Sequence, residues 1–341
     1  MAYTTIKKPS DYFNTKLFTG TGAEQSISSL DFSPDLTWIK NRDTTDWHRL
    51  LDSVRGATKE LYSNDSSAET TEAQSLKSFD SNGFTLGTLA EVNTSGENYA
   101  SWNWRGSDSS AVSNTDGSIT STVSANTTSG FSIVSFTGTG STATVGHGLG
   151  ATPKMIIVKN RSITETWRVY HNYLGGGQAL ALNGTQGTDT DASYWSNTNP
   201  TSSVFTVGTN TGTNGSGNSM IAYCFADVKG FSKFGSYTGN GSADGAFVYT
   251  GFKPAMVIGK ASSRADVWWM HDNKRDTINP MNRRIMPNLS SEESVEWVID
   301  YLSNGFKIRM TDAQANGSGE TYIYMAFAEQ PLVGDNPATA R

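Results

Sequence analysis

Glycoside hydrolysis needs two carboxylates held roughly 5–10 Å apart, and the densest supply of acid in this chain is Glu292, Glu293 and Glu296. They have no common counterpart in the internally related parts of the sequence. No Gly-x-Ser-x-Gly elbow is present. Gly215-Ser216-Gly217 and Gly317-Ser318-Gly319 lead into strand-like runs, so the helix N-terminus that cradles phosphate is missing. Asp189-Thr190-Asp191 offers oxygens to Ca²⁺ but lacks the ordered acidic loop and closing Glu of a calcium motif. His48 and His147 lack a second histidine at metal-ligand spacing, and the single Cys224 excludes both an intrachain disulfide and a Cys-based zinc site. The expectation is a protein without catalytic residues, metal or cofactor. What the composition offers instead is aromatic: nine Trp, 13 Tyr and 15 Phe.

The elements that position these rings are repeated three times. Asn93-Thr94-Ser95-Gly96 through Arg105, Asn214-Gly215-Ser216-Gly217 through Ala226, and Asn316-Gly317-Ser318-Gly319 through Ala328 align without a gap. Each reads as a tight turn feeding a strand rich in aromatic and β-branched residues. Self-similarity of this length marks a tandem array. Three more blocks recur: Phe18-Thr19-Gly20-Thr21-Gly22 with Phe136–Gly140 and Tyr237–Gly241; Pro34–Lys40 with Pro153–Lys159 and Pro254–Lys260; Asn82–Leu86 with Asn304–Ile308. The closing Lys of the second set is expected where its strand exits into solvent. Asn-Gly before an alternating run is a hairpin signal.

These blocks predict an all-β chain of three antiparallel β-sandwich repeats of jelly-roll or lectin-like type. The boundaries are an N-terminal arm at 1–11, repeat 1 at 12–105, a polar linker at 106–129, repeat 2 at 130–228, repeat 3 at 229–330 and a tail at 331–341. Strand character at Ile119–Ala125 suggests an extra strand within the linker. Repeats 2 and 3, joined by Asp227–Gly230, should form one rigid body with repeat 1 set apart. A sandwich of about 95 residues buries only about 60–65% of its unfolded surface, so contacts between repeats or between chains are expected. The net charge of −6, with no Lys/Arg stripe to neutralise phosphates, argues against a nucleic-acid footprint, so no nucleic-acid partner is expected. The N-terminus has no apolar signal region and no 18 apolar residues run together, so a soluble, non-secreted chain without membrane insertion is expected.

Comparison of the repeats sorts core from surface. Trp38, Trp102, Trp104, Trp47 and Trp167 align with apolar or aromatic residues and are assigned to cores. A further recurring set, Asp46–Asp52, Thr166–Asn172 and Asp266–Asp272, aligned on Trp47 and Trp167, places Trp268 opposite His48 and Arg168 on the other face. Trp268, Trp297 and Trp195 are therefore the candidate outward-facing stacking platforms, for a sugar ring or a partner's apolar surface. His171 and His271 fall on the inward face with Leu51. Asp52 with Arg55, and Asp272 with Arg275, are expected to pair and fix a turn, whereas repeat 2 has Asn172 and Gly175 there.

Phe18–Gly22, Trp38–Arg42, Asp52–Lys59, Ser78–Gly87 and the Tyr99–Trp104 strand resemble a repeat domain of structural proteins from marine tailed bacteriophages, those of cyanobacteria and SAR11-type bacteria, and the likeness covers nearly the whole chain. The resemblance implies a non-enzymatic virion protein, a tail fibre or other appendage with lectin-like units that touches the host surface or its glycans. It supplies no catalytic or ligand residues. A capsid or tail decoration protein confined to assembly is the alternative, and a polysaccharide depolymerase a second one. The implied partners are other virion proteins, host-surface glycan and further copies of the chain, as a trimer by analogy with appendages. The implied location is the virion, assembled in the bacterial host cytoplasm.

Overall fold

The structure, a computed structural model, describes residues 4–107, 109–333 and 337–338. It is all-β with antiparallel pairing, and one strand order recurs. Phe13–Thr19, Asn98–Trp104, Leu36–Asn41 and Arg49–Asp52 lie side by side in that order. So do Phe131–Thr137, Ser219–Phe225, Met155–Asn160 and Arg168–His171, and again Ser232–Thr238, Thr321–Pro331, Phe252–Ala261 and Trp268–Asp272. A smaller antiparallel sheet covers one face of each, such as Gln25–Ser28, Gly83–Leu86 and Leu76–Asp80 in the first unit.

Both faces of the main sheets are buried, which is why their central strands read as unbroken apolar runs rather than alternating ones. Ile39, Leu51 and Tyr99 point into a core private to the first unit, with Phe84 and Leu86 of the covering sheet. Trp38, Leu50 and Trp102 point the other way, into a core that all three units share. Trp104 and its register equivalents Phe225 and Phe327 meet there, with ring centroids 6.3 Å and 5.7 Å from the indole. The first unit is thus fused to the other two, not set apart. Ile6 of the N-terminal arm is buried in the same core. The polar stretch 106–129 is no free linker: Ser121–Asn126 pairs with Phe131–Thr137, and Val112–Asn114 pairs with Ser121–Asn126. The extra strand expected there is present.

Local chemistry explains the recurring words. Asn93, Asn214 and Asn316 end one-turn helices and are fully buried. Each side-chain amide donates to two backbone carbonyls, Ala23 and Gly87 in the first unit, and its oxygen accepts from a third residue's N–H, Thr21. Gly20, Gly138 and Gly239 abut this turn so closely that a Cβ would lie 2.1–2.3 Å from a carbonyl oxygen. The aromatic-Thr-Gly block therefore docks on the Asn turn. Lys40, Lys159 and Lys260 are also buried, contrary to the solvent exit expected from their position. Their ammonium groups donate to loop carbonyls, Lys40 Nζ to Thr44 O at 2.9 Å, and burial pulls each pKa down to about 8.

The strand ladders correct one alignment. Trp38 pairs with Leu50, Ile157 with Val169 and Ile258 with Met270. His48, Trp167 and Trp268 are then equivalent, as are Asp52, His171 and Asp272, and Arg55, Leu174 and Arg275. Matching Trp47 to Trp167 by identity had shifted the second unit by one residue, which turns every side chain to the opposite face. His48, Trp167 and Trp268 each reach a neighbouring unit's backbone carbonyl, of Met286 (3.1 Å), Tyr62 (2.8 Å) and Ala181 (2.8 Å) respectively. These contacts run first to third, second to first and third to second, so the three units close a ring.

All four histidines are buried, and burial holds each below the ordinary imidazole pKa, His171 down to about 4. The unfolded chain therefore binds more protons below pH 6.5, and stability should fall as pH drops from 6.5 towards 4. At 1.36 kcal/mol per pKa unit, His171 alone would contribute up to about 3 kcal/mol of that loss. Urea midpoints at pH 7, 5.5 and 4.5 check this; a flat profile would contradict it.

Candidate functional site

Two of the three unit junctions carry the same buried ionic chain. Asp52 pairs with Arg55, both side chains fully buried, and Tyr223 Oη of the second unit donates to Asp52 Oδ2 at 2.8 Å. Arg55 reaches Glu69 (3.2 Å), which takes a bidentate pair from Arg161 of the second unit at 2.8 and 2.9 Å. At the junction of the third unit with the first, Asp272, Arg275, Glu293 and Arg42 repeat the chain, and Trp102 Nε1 donates to Asp272 at 3.1 Å. Burial would raise the Glu69 and Glu293 carboxyls, but their arginines outweigh it and hold both below the usual range. Glu293 is therefore committed to three guanidinium groups, with Arg283 the third. A general acid needs a raised pKa, so this residue gives no support to the depolymerase alternative.

At the third junction, second unit to third, every member is replaced. His171 and Leu174 stand for Asp and Arg, Thr188 for Glu, and Ser262 for the partner Arg. Met325 stands where Trp102 and Tyr223 supply a donor. The backbone is unchanged: Thr188 N donates to Ser262 O at 2.8 Å, as Glu69 N does to Arg161 O and Glu293 N to Arg42 O, both at 2.9 Å. A half-satisfied buried ionic network is worse than none, which accounts for the loss of the whole set together.

The aromatic platforms fall elsewhere than expected. Trp195 is 1% exposed, with Nε1 donating to Gln178 O at 3.1 Å, and Trp268 is 1% exposed in the shared core. Neither faces solvent. Trp195 sits on the one-turn helix Ala192–Trp195 and packs edge-on against Tyr170, and Trp268 follows from the corrected register. Trp297 lies on the strand Ser294–Leu302, and its side chain is outside the described residues. Of the five Trp assigned to cores, Trp38, Trp102, Trp104 and Trp167 are buried, but Trp47 is 42% exposed. Its equivalents, counted seven residues on from the recurring Lys, are Thr166 and Val267 rather than Trp167. That ungapped spacing, not identity of letters, is the sequence signal that marks Trp47 as the odd one out.

Trp47 stands on Tyr62, ring centroids 5.1 Å apart at 65°. Together with Thr45, Asp46, Arg49 and Glu91 the two rings line a hollow of about 370 Å³. Arg49 lies over the Tyr62 ring and pairs with buried Glu60 at 2.5 Å and with Glu91 at 3.4 Å. Tyr62 Oη is held by Glu60 (3.0 Å) and Thr70 (2.6 Å), so its ring is fixed before anything arrives. Asp46 accepts from Asn41 and Thr44, both at 2.8 Å. An exposed indole face beside fixed carboxylates and a guanidinium can stack on the apolar face of a pyranose while hydrogen-bonding its hydroxyls.

One family model, described as Domain of unknown function (DUF7483), matches residues 8–331. The chain belongs to that family. Comparison with curated proteins and with solved structures finds no match. The matched span takes in all three units as one domain, in keeping with their shared core.

Asp191 caps the helix Ala192–Trp195 through Ser193 N, and Asp189 accepts from Tyr194 Oη at 2.5 Å, so the pair weighed for Ca²⁺ serves local structure. Among the described residues no three His, Cys, Asp or Glu side chains converge on an ion position.

Proposed function

We propose that this protein is a non-enzymatic structural component of a tailed-phage particle, a tail fibre or other appendage whose first unit touches host-surface glycans. The observation that carries the reading is Trp47, the one tryptophan with a described side chain that is exposed, mounted on a fixed Tyr62 beside Asp46, Arg49 and Glu91. The sequence resemblance to phage structural repeats supplies the particle, and other virion proteins are its partners. Since the units bury their shared core within one chain, assembly into a trimer would serve avidity rather than folding.

Trp47→Ala should lower binding to host cells or to arrayed host glycans about tenfold or more, the loss expected of an aromatic anchor. The melting temperature should hardly move, because the ring is half in solvent. Unchanged binding would overturn the reading. A second reading, a decoration protein confined to assembly, draws on exposed Phe247 and Tyr249 of the strand Phe247–Tyr249, at one edge of its sheet. Affinity for empty capsids or tails with none for host cells would favour it.

A further inference from the structure

The junction between the second and third units is open where the other two are filled. Thr166 occupies the position of Trp47 and Val267, Ala181 that of Tyr62 and Met286, Thr188 that of Glu69 and Glu293, and Ser262 that of Arg42 and Arg161. Four small residues at one junction leave a groove of about 570 Å³, with Thr166, Thr188, Ser262 and Ser263 among its lining residues.

Arg168 of the second unit and Arg264 of the third both line it. The Arg168 guanidinium lies over the Tyr194 ring, 4.5 Å from its centroid, and its Nε has no hydrogen-bond partner among the described residues. Its nearest acid, Asp189, is 4.0 Å away and already accepts from Tyr194 Oη. Arg264 stands 3.6 Å from Asp266. Neither distance is a hydrogen bond, in contrast to the bidentate Arg161–Glu69 and Arg42–Glu293 pairs that fill the sister junctions. Two guanidinium groups whose acidic neighbours stand beyond hydrogen-bond distance thus line one hydroxyl-bearing groove, on a chain of net charge −6.

We propose that this groove binds a carboxylate-bearing saccharide of the uronic acid class. Its carboxylate takes the place that a Glu side chain fills at the other junctions, with Arg168 as planar bidentate partner, and its hydroxyls meet Thr166, Thr188 and Ser262. The assignment rests on the glycan-contact reading above and names the sugar class for a second site.

The test is calorimetric titration of the full chain with a glucuronate oligomer, a neutral glucose oligomer of equal length, and inorganic sulfate. The glucuronate oligomer should bind at least about tenfold tighter than either other probe. Arg264→Gln, at a side chain 39% exposed, should cost about tenfold. The double variant Thr188→Glu with Ser262→Arg copies Glu69 and Arg161, whose side chains keep 13% and 17% exposure, so it should still fold, with at most a small drop in melting temperature, and lose glucuronate binding. Equal affinity for the neutral oligomer, equal affinity for sulfate alone, or undiminished binding by the double variant would each overturn the assignment. Host-cell binding by the same double variant and by Trp47→Ala separates the two claims: if only Trp47→Ala loses it and glucuronate fails to bind, the groove assignment falls and the appendage reading stands; if wild type binds no host cells, the reading falls.

Discussion

Arg55→Met should destabilise the protein by about 3–5 kcal/mol, the loss expected when one partner of a buried ion pair is removed and the other is left charged. Asp52 is fully buried and would keep only the Tyr223 hydroxyl and two backbone N–H donors, from Val54 and residue 55 itself. Glu69 would also lose a guanidinium. The molecule contains its own control. At the second-to-third junction the same positions carry His171, Leu174 and Met325, with His171 Nε2 directed at Tyr324 O, 3.4 Å away, and the core closes without any charge. The triple change Asp52→His, Arg55→Leu and Tyr223→Met copies that solution at the fully buried end of the network, leaves Glu69 on its bidentate Arg161, and should cost no more than about 1–2 kcal/mol, since a buried ion pair replaced as a unit by packed residues is often neutral. Denaturant unfolding of both variants checks this. A triple variant less stable than the single one would contradict the view that the network is kept or lost as a whole.

Trp104→Ala should cost about 3–5 kcal/mol, the range for emptying a large aromatic site in a core. The indole is 2% exposed and touches Phe13, Phe131, Phe225 and Phe327, rings contributed by all three units, so a cavity there weakens every junction at once. Trp104→Phe should cost much less. The indole Nε1 is buried without an acceptor among the described residues, and the equivalent positions are already Phe225 and Phe327. Removing an unsatisfied N–H offsets part of the lost area. Thermal unfolding that remains a single cooperative transition in wild type, with Trp104→Ala lowering it as a whole, is the expected pattern. If Trp104→Ala instead split off one unit while the others kept their stability, the units would be independent and the shared core unimportant.

Much of the local architecture was legible in the chain because it is made of neighbours in sequence. The Asn-Gly-Ser-Gly turn, the paired glycines of Phe18–Gly22 and the apolar run after each proline are short-range chemistry, and each turned out where the repeat placed it, although the Asn closes a one-turn helix rather than a bare turn. The Asp52–Arg55 and Asp272–Arg275 pairs were equally visible, three residues apart. What identity of letters could not settle was register. Pairing Trp47 with Trp167 moved one unit by a residue, sent Trp268 to the surface and Trp47 to the core, and hid the equivalence of Asp52 with His171.

All-β class, threefold strand-and-turn wording and the buried aromatic strands were determined by the sequence alone, because turn chemistry and the two-residue period of a strand act over a few residues. Which face of each strand meets which core, that three units close on one another around Trp104, Phe225 and Phe327, and that one junction is left open were decided only in the tertiary structure. The reason is that a strand buried on both faces carries no polar side to mark its outside. The rings that cover its shared-core face come from the other units, as Phe225 and Phe327 do for Trp104, and only the assembled ring shows which positions they fill.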